Sequence, residues 1–447
     1  MARRKRSCLV ALFAVVAFAQ TLLFYAYLRD DPGNYNGAGA NGDQVTYIRL
    51  GQDILGGSWQ GAGHYMPGEP ALVAVGQLLL GDPRLGIAVV QGALYAGLVV
   101  VAARLASSMF GGAAASPAAA LVALNPSLGY YASQALTELA TAALLTGAVG
   151  LIGLWGRGRD ARTRSLIVAG VLVAGAGYVR SEYLALAAVF GLVVLLTARA
   201  SAGWPRAFGR AIIFVAIIVA AILPWTLRYS AATGQPALYN VSPISDLVIK
   251  GTWYRVFDSA TWAELQAIET SPVPRDQAVQ QAGRVGPLPD LSARYMEQAR
   301  GPYDRPLGET LALAAGNVRL TLPQYLVNHL VVAPVLIWIG RTPVRQADAA
   351  TLSAAVRYGL WAVQLVLLLL ALWQAGRALR RQETRVFALA FLALVFFLTT
   401  LHVVIAVDER FTVPAVPLAM TFAGGCLARL SPVRVRPWAT RDAVVAR

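Results

Sequence analysis

The sequence predicts an all-α integral membrane protein: a polytopic bundle of about ten transmembrane helices with amphipathic juxtamembrane helices on the outer face. Three observations lead there. Of the 447 residues 57% are hydrophobic and only 14% charged, and mean hydropathy is +0.55, more than a water-soluble surface can carry. Apolar runs near the ~20 residues needed to cross ~30 Å of hydrocarbon recur along nearly the whole chain. The basic residues are unevenly spread between alternate connecting segments, as the positive-inside rule expects.

Arg3, Arg4, Lys5 and Arg6 precede an apolar stretch from Cys8 to about Leu28, the pattern of a helix whose basic end stays in the cytoplasm. Ala17-Phe18-Ala19 has the small-residue spacing of a leader cleavage site, but the apolar run continues past it, so a retained span is expected. Further spans are expected near 84–109, 112–130, 134–156, 165–180, 183–198, 210–228, 352–375, 386–407 and 411–428. Alternation from a cytoplasmic N-terminus places 1–8, Arg104, 157–164, 199–210, 376–385 and 429–447 inside, with Asp160, Glu383 and Asp442 their only acids. Both termini are then cytoplasmic. The run Tyr325–Gly340 is apolar enough to cross, but counting it would put Arg377, Arg380, Arg381 and Arg385 outside. A short re-entrant or interfacial segment limited by Pro323 and Pro334 is expected instead. Trp155, Trp225 and Trp373 fall at span ends and are read as interfacial anchors.

Three regions result: 1–228, an N-terminal transmembrane region with a first outer loop at 29–83; 229–351, an outer loop and re-entrant region; and 352–447, the C-terminal helices and a cytoplasmic tail. Between 229 and 320, Thr261–Ile268 and Ser292–Arg300 read as short helices, and Pro272, Pro274, Pro287 and Pro289 forbid a long one.

Several function classes are excluded. The net charge of +15 raises nucleic acid as a partner, but only Lys5 and Lys250 are lysines, so the arginines reflect a coding bias and no nucleic-acid role is assigned. That bias favours a bacterial plasma membrane. Cys8 and Cys426 lie near opposite chain ends and build neither a disulfide framework nor a zinc cluster. No GxSxG, HExxH or Walker loop occurs.

Carboxylates inside a membrane are expensive and mark function by default. Asp43, Asp53, Glu69, Glu138, Glu182, Asp408 and Glu409 all map near the outer face, as do His64, Arg180, His402 and Arg410. An outward polar site at the lipid–water boundary is expected. In GDQVTYIRLGQDILGGSW, Tyr47, Leu50 and Ile54 share one helical face, with Arg49 and Asp53 on another, so an amphipathic surface helix is expected. Asp43 there reads as its N-cap, a role compatible with a functional one. Glu69, in MPGEP, reads as a solvated turn residue, Glu138 as an ion pair or cap, Arg180 with Glu182 as a local turn pair, and His402 as a hydrogen-bonded core histidine.

The order of motifs resembles a known family. GDxxxYxxLGxxIL at 42–55, HYMPGEPALVAV at 64–75, VVQGALYAG at 89–97, LNPSLGYYASQALTELATAALL at 124–145, GYVRSEYLALA at 177–187 and DERFTVPAVPL at 408–418 are similar to the type C membrane glycosyltransferases. The likeness is to the branch of protein O-mannosyltransferases and the lipid A aminoarabinose transferase. It implies transfer of a sugar from a polyprenyl-phosphate carrier to an acceptor on the extracytoplasmic side. The family's catalytic acid matches Asp43, which would act as general base in an inverting single displacement. Arg410 and Arg180 are the candidates for the carrier's phosphate, and Glu138, His64, Tyr65 and Glu69 complete the substrate-binding candidates. Tyr65 and Trp59 could stack on a sugar or anchor at the interface. Gln44 stands where the branch commonly has a second acid, and PGEP at 67–70 where many have PGYP. The implied partners are membrane lipid, the lipid-linked donor and a glycan, lipid or protein acceptor; no cofactor is assigned, and a divalent metal is left open. Two other readings stand beside this one, a lipid-linked sugar flippase and a catalytically silent partner of a cell-envelope assembly.

Overall fold

The structure, a computed structural model, describes residues 2–31, 42–58, 65–157, 163–234, 244–302, 305–344, 348, 352–404 and 407–430. Its described residues form helices and turns without strands, as the composition requires. Nine helical stretches among them are long and apolar enough to cross a membrane. The first is α1 (Ala2–Leu28), followed by the two short helices α2 (Gly42–Leu55) and α3 (Gly68–Leu80). A full span, α4 (Pro83–Phe110), comes next, then α5 (Ala115–Ala123), α6 (Pro126–Ala132) and α7 (Glu138–Gly156). Helix α8 (Thr163–Val179) leads through a 3₁₀ turn into α9 (Leu186–Thr233), which is two spans joined across Gly203 at φ +74°.

The sequence expected one span at 112–130. The chain there instead makes a 3₁₀ turn and α5, then breaks where Asn125 caps α6 ahead of Pro126. An X-Pro step disfavours a helical residue before it, and the Asn125 side chain accepts from Leu128 N to start the next helix.

After α9 comes a group of short helices: α10 (Ile244–Thr252), α11 (Ser259–Thr270), α12 (Arg275–Ala282), α13 (Pro289–Ala299) and α14 (Leu307–Leu320). Prolines at 272–274 and 287–289 end α11 and open α13, as the sequence required. This group has its own core of Trp253, Phe257, Leu265, Tyr295 and Met296. A reciprocal amide pair pins it: Asn317 Nδ2 donates to Gln298 Oε1 at 2.8 Å and Gln298 Nε2 to Asn317 Oδ1 at 3.0 Å. Every polar atom of that pair is then satisfied in a dry interior.

Next come α15 (Leu322–Val327), a π turn at Asn328–Val332 and α16 (Ala333–Ile339). The segment expected to be re-entrant lies within Leu322–Ile339, an 18-residue helical run long and apolar enough to cross a membrane. Pro334 lacks an N–H for the carbonyl one turn back, and the wider π turn just before it absorbs that gap. The chain ends in α17 (Ala354–Leu379), α18 (Gln382–Val404), a 3₁₀ turn at Glu409–Ala415 and α19 (Val416–Leu430).

Burial sorts these helices. The last span is 89% buried and forms the middle of the bundle, whereas α17 is 6% buried and presents Val363, Val366 and Leu369 outward, as lipid-facing helices do. The interior is built on small residues: α7 offers Gly153 to the Phe387 ring and Gly156 to Val386, so α18 approaches closely. Trp155 and Trp225 are buried among helices, not set in an interfacial belt; of the three expected anchors, Trp373 alone is exposed.

Candidate functional site

One end of the bundle gathers Asp43, Glu69, Glu138, Arg180, Glu182, His402, Asp408 and Arg410 from the set that the sequence placed at the outer face. Helix α2 lies over it, and its inward face is Gln44, Tyr47 and Gly51, not the Tyr47–Leu50–Ile54 stripe expected. Gly51 is needed there because a Cβ would run into Val73 and the Pro70 carbonyl of α3. The Gln44 amide points inward and donates to Gln134 Oε1 at 2.9 Å, away from Asp43.

Asp43 sits in the first turn of α2, where the helix dipole favours an anion, but its oxygens are not spent on capping. Oδ1 accepts from the Tyr65 hydroxyl at 3.1 Å and Oδ2 from Arg410 Nη1 at 3.1 Å. A carboxylate has about four lone-pair sites, so each oxygen keeps capacity for a further donor, and the side chain is 32% exposed. Tyr65 holds the α2 face edge-on to Tyr47, centroids 5.1 Å apart. Burial and the Asp43 carboxylate push the Tyr65 phenol up from its ordinary range, which keeps it a donor.

Arg410 is fixed from behind. Asp408 caps the 3₁₀ turn, Oδ1 accepting from Arg410 N at 2.9 Å, while Oδ2 lies 3.2 Å from Arg410 Nε. From Arg410 an alternating row of charges runs inward: Glu138 Oε1 is 3.9 Å from Arg410 Nε and 3.6 Å from Arg180 Nη1, and Arg180 Nε is 2.8 Å from Glu182 Oε1. His402 Nε2 closes the row, 3.4 Å from Glu182. The Phe411 ring is its floor, with the Arg180 guanidinium at 4.2 Å, that of Arg410 at 5.0 Å and the His402 ring stacked at 4.3 Å. Among the described residues neither Arg180 nor Arg410 donates a hydrogen bond from Nη2 to the protein.

Glu69 corrects the sequence reading. It is fully buried in α3, not a solvated turn residue, and its Oε1 accepts from Gln91 Nε2 at 2.8 Å. Gln91 also donates to the carbonyls of Gln134 and Leu136, at 2.9 and 3.2 Å, so one amide ties α3, α4 and the strand-free turn before α7 together. Burial, and then the nearby Glu138, push the Glu69 carboxyl well above the usual carboxylate range. His64 lies outside the described residues, as does Trp59.

Sequence reasoning missed Arg341. Buried at the end of α16, it donates from Nη1 to Thr412 Oγ1 at 2.5 Å and from Nη2 to the Trp338 carbonyl at 2.6 Å. It clamps the Glu409–Ala415 turn that presents Arg410. Burial pushes its guanidinium down to about 10. Only an arginine directly after an apolar run hinted at it. Phe411, Gln91 and Gln134 were equally silent, because neither an aromatic nor an amide in an apolar run carries a positional signal.

The described residues do not form a cation cage. The carboxylates are separated by arginines, and among the described residues no three His, Cys, Asp or Glu side chains converge.

Comparison with known proteins agrees with this architecture. No protein-family model matches the sequence, and neither does any curated protein. Among solved structures, the oligosaccharyltransferase of Archaeoglobus fulgidus in complex with zinc and sulfate superposes with TM-score 0.53 at 14% identity, over 94% of this chain and 49% of that one. The same archaeal enzyme, AglB, in complex with an inhibitory peptide and a dolichol-phosphate gives 0.53 at 11% identity, over 96% and 50%. ArnT from Cupriavidus metallidurans bound to undecaprenyl phosphate covers 93% of this chain and 77% of its own at 16% identity, with TM-score 0.41, too slight to establish a shared fold. The chain spans about half the length of the oligosaccharyltransferase structures. Over 94% of its length the chain follows the fold of the archaeal oligosaccharyltransferase.

Proposed function

We propose that the protein is a membrane glycosyltransferase that moves a sugar from a polyprenyl-phosphate donor to an acceptor at the extracytoplasmic face. The observation that carries this reading is Asp43, partly exposed and clamped between Tyr65 and Arg410 at the edge of a membrane bundle. The shared fold supports it, as does a structural neighbour that holds an inhibitory peptide and a dolichol-phosphate.

In this reading Asp43 accepts the proton of the acceptor hydroxyl as that oxygen attacks the anomeric carbon. The bond from the anomeric carbon to the carrier phosphate breaks on the opposite side, so the centre inverts. The departing phosphate gains charge beside the partly exposed guanidinium groups of Arg410 and Arg180, whose forks suit phosphate oxygens. Tyr65 and Asp408 hold the base and the cation in register. Glu138 and Glu182 are positioning residues that set the two guanidinia. No step is assigned to a metal, because among the described residues no three His, Cys, Asp or Glu side chains converge.

The test is sugar release from radiolabelled polyprenyl-phosphate donors in membranes carrying the wild-type chain or Asp43→Asn. The asparagine keeps the shape and loses the base. Turnover by wild type and its loss in a folded mutant support the reading. A mutant that keeps pace removes Asp43 from the chemistry, and a wild type inert towards every donor and acceptor in the panel favours a silent membrane partner.

A further inference from the structure

The end of the bundle opposite Asp43 carries a second cluster of charge, and this one is predominantly basic. Helix α18 runs from Gln382 to Val404, with His402 at the charged site, so its other end lies one full span away, ~30 Å at 1.5 Å per residue. There the hairpin between α17 and α18 presents Arg377, Arg380 and Arg381, all exposed. With Trp373 and Gly376 they line a cleft of about 570 Å³.

Among the described residues the fold gives these arginines no polar partner. Arg157, at the same end, bonds Ser108 and the Glu383 carbonyl and covers the Phe387 ring. The side chains of Arg377, Arg380 and Arg381, by contrast, make no hydrogen bond or ion pair among the described residues. Glu383, the acid within the hairpin, forms no ion pair with them either. Arg429 on α19 adds a like charge that Arg377 and Arg381 repel. Arg377 lies 4.8 Å over the Trp373 ring, which holds its fork at the mouth of the cleft. Four cations brought together with no ion pair among the described residues cost free energy, and an anion placed among them recovers it.

Depth says which anion. Both flanking helices are long enough to cross the bilayer, so the hairpin between them sits at headgroup level. Trp373, half-exposed one turn before the arginines, is where an indole marks the boundary of the hydrocarbon. The chemistry available at that depth, with a phosphate above and acyl chains beside an apolar helix face, is that of a phospholipid.

We propose that this cleft is a binding site for the phosphate headgroup of an anionic phospholipid, gripped by Arg377, Arg380 and Arg381 with Trp373 against the lipid's backbone. It is independent of the glycosyltransferase reading. Each juxtamembrane arginine contributes roughly fivefold in affinity, so removing all three weakens binding on the order of 100-fold.

The full-length protein in an uncharged detergent is titrated with phosphatidylglycerol or phosphatidylcholine and the bound lipid read by native mass spectrometry. Wild type is expected to retain phosphatidylglycerol over phosphatidylcholine. The Arg377→Gln/Arg380→Gln/Arg381→Gln variant loses that preference, while Arg275→Gln/Arg284→Gln/Arg319→Gln, three exposed arginines of the short-helix group, keeps it. Inorganic phosphate at millimolar concentration leaves the lipid bound. The triple lysine variant at 377, 380 and 381 keeps the charge and guards against misfolding; it is expected to bind phosphatidylglycerol several-fold more weakly than wild type and still above phosphatidylcholine. Equal retention of the two lipids by wild type, equal loss in the control variant, a lysine variant that binds the two lipids alike, or displacement by inorganic phosphate overturns the proposal.

Discussion

Arg410 reaches Asp43 Oδ2 at 3.1 Å across 367 residues of sequence, joining the turn before the last helix to the first turn of α2. Asp408 and Phe411, its neighbours in the chain, fix that guanidinium, so the geometry of the whole site depends on one short 3₁₀ turn.

Arg410→Lys tests whether a fork is needed or only a charge. Lysine is a point cation that cannot face Asp43, Asp408 and Glu138 together. Loss of one charge-assisted bond is worth ~1.5–3 kcal/mol, so kcat/KM should fall about 10- to 100-fold. A double-mutant cycle with Asp43→Asn should show strong coupling; additive losses would mean the two side chains act separately.

Tyr65→Phe removes a single neutral donor from Asp43 and leaves the ring against Tyr47. At ~0.5–1.5 kcal/mol the expected loss of turnover is about 2- to 10-fold, with the thermal midpoint nearly unchanged. A loss as deep as that of Asp43→Asn would make Tyr65 a participant in proton transfer.

Glu69 predicts a pH dependence of stability. Its carboxyl binds a proton more tightly in the folded protein than in the unfolded one. Stability therefore falls as pH rises from the ordinary carboxylate range towards the raised value. Glu69→Gln is neutral at every pH and can still accept from Gln91. Its thermal midpoint in detergent should exceed that of wild type at about pH 8 and converge with it near about pH 4.5. The reverse order, with the glutamine variant less stable at high pH, would show that Glu69 is held ionised.

Gly76 on α3 and Gly86 on α4 pack backbone to backbone, and a Cβ on either would meet the other's main chain. Neither side can yield, so Gly76→Ala should cost ~1–3 kcal/mol. Gly97→Ala, on the open face of α4, is the control and should be neutral or slightly stabilising. Thermal unfolding of the two variants side by side separates them.

Much of the fold was legible because a membrane span needs only length and hydropathy. The first span, 84–109, 134–156, 183–198, 210–228 and the last three all have helices over them. The segment 112–130 was misread because hydropathy does not register a break at Asn125-Pro126, whereas Tyr325–Gly340 lies on a helical run as long and apolar as its hydropathy indicated. Among the site residues, Asp43, Glu138, Arg180 and Arg410 stood out as charges in apolar surroundings. Glu69 was misjudged, since a glutamate between two prolines reads as a turn unless Gln91, 22 residues away, is known to face it.

The sequence by itself determined the membrane class, the helices and the end of the bundle where charge collects, because desolvation makes each intramembrane charge visible one residue at a time. Tertiary structure alone decided that Asp43 meets Arg410, that Gln44 turns away towards Gln134, and that Arg341 clamps the turn between them. Those pairings join residues tens to hundreds of positions apart. They follow from which small-residue helix faces can approach closely, and no local pattern in the chain encodes that.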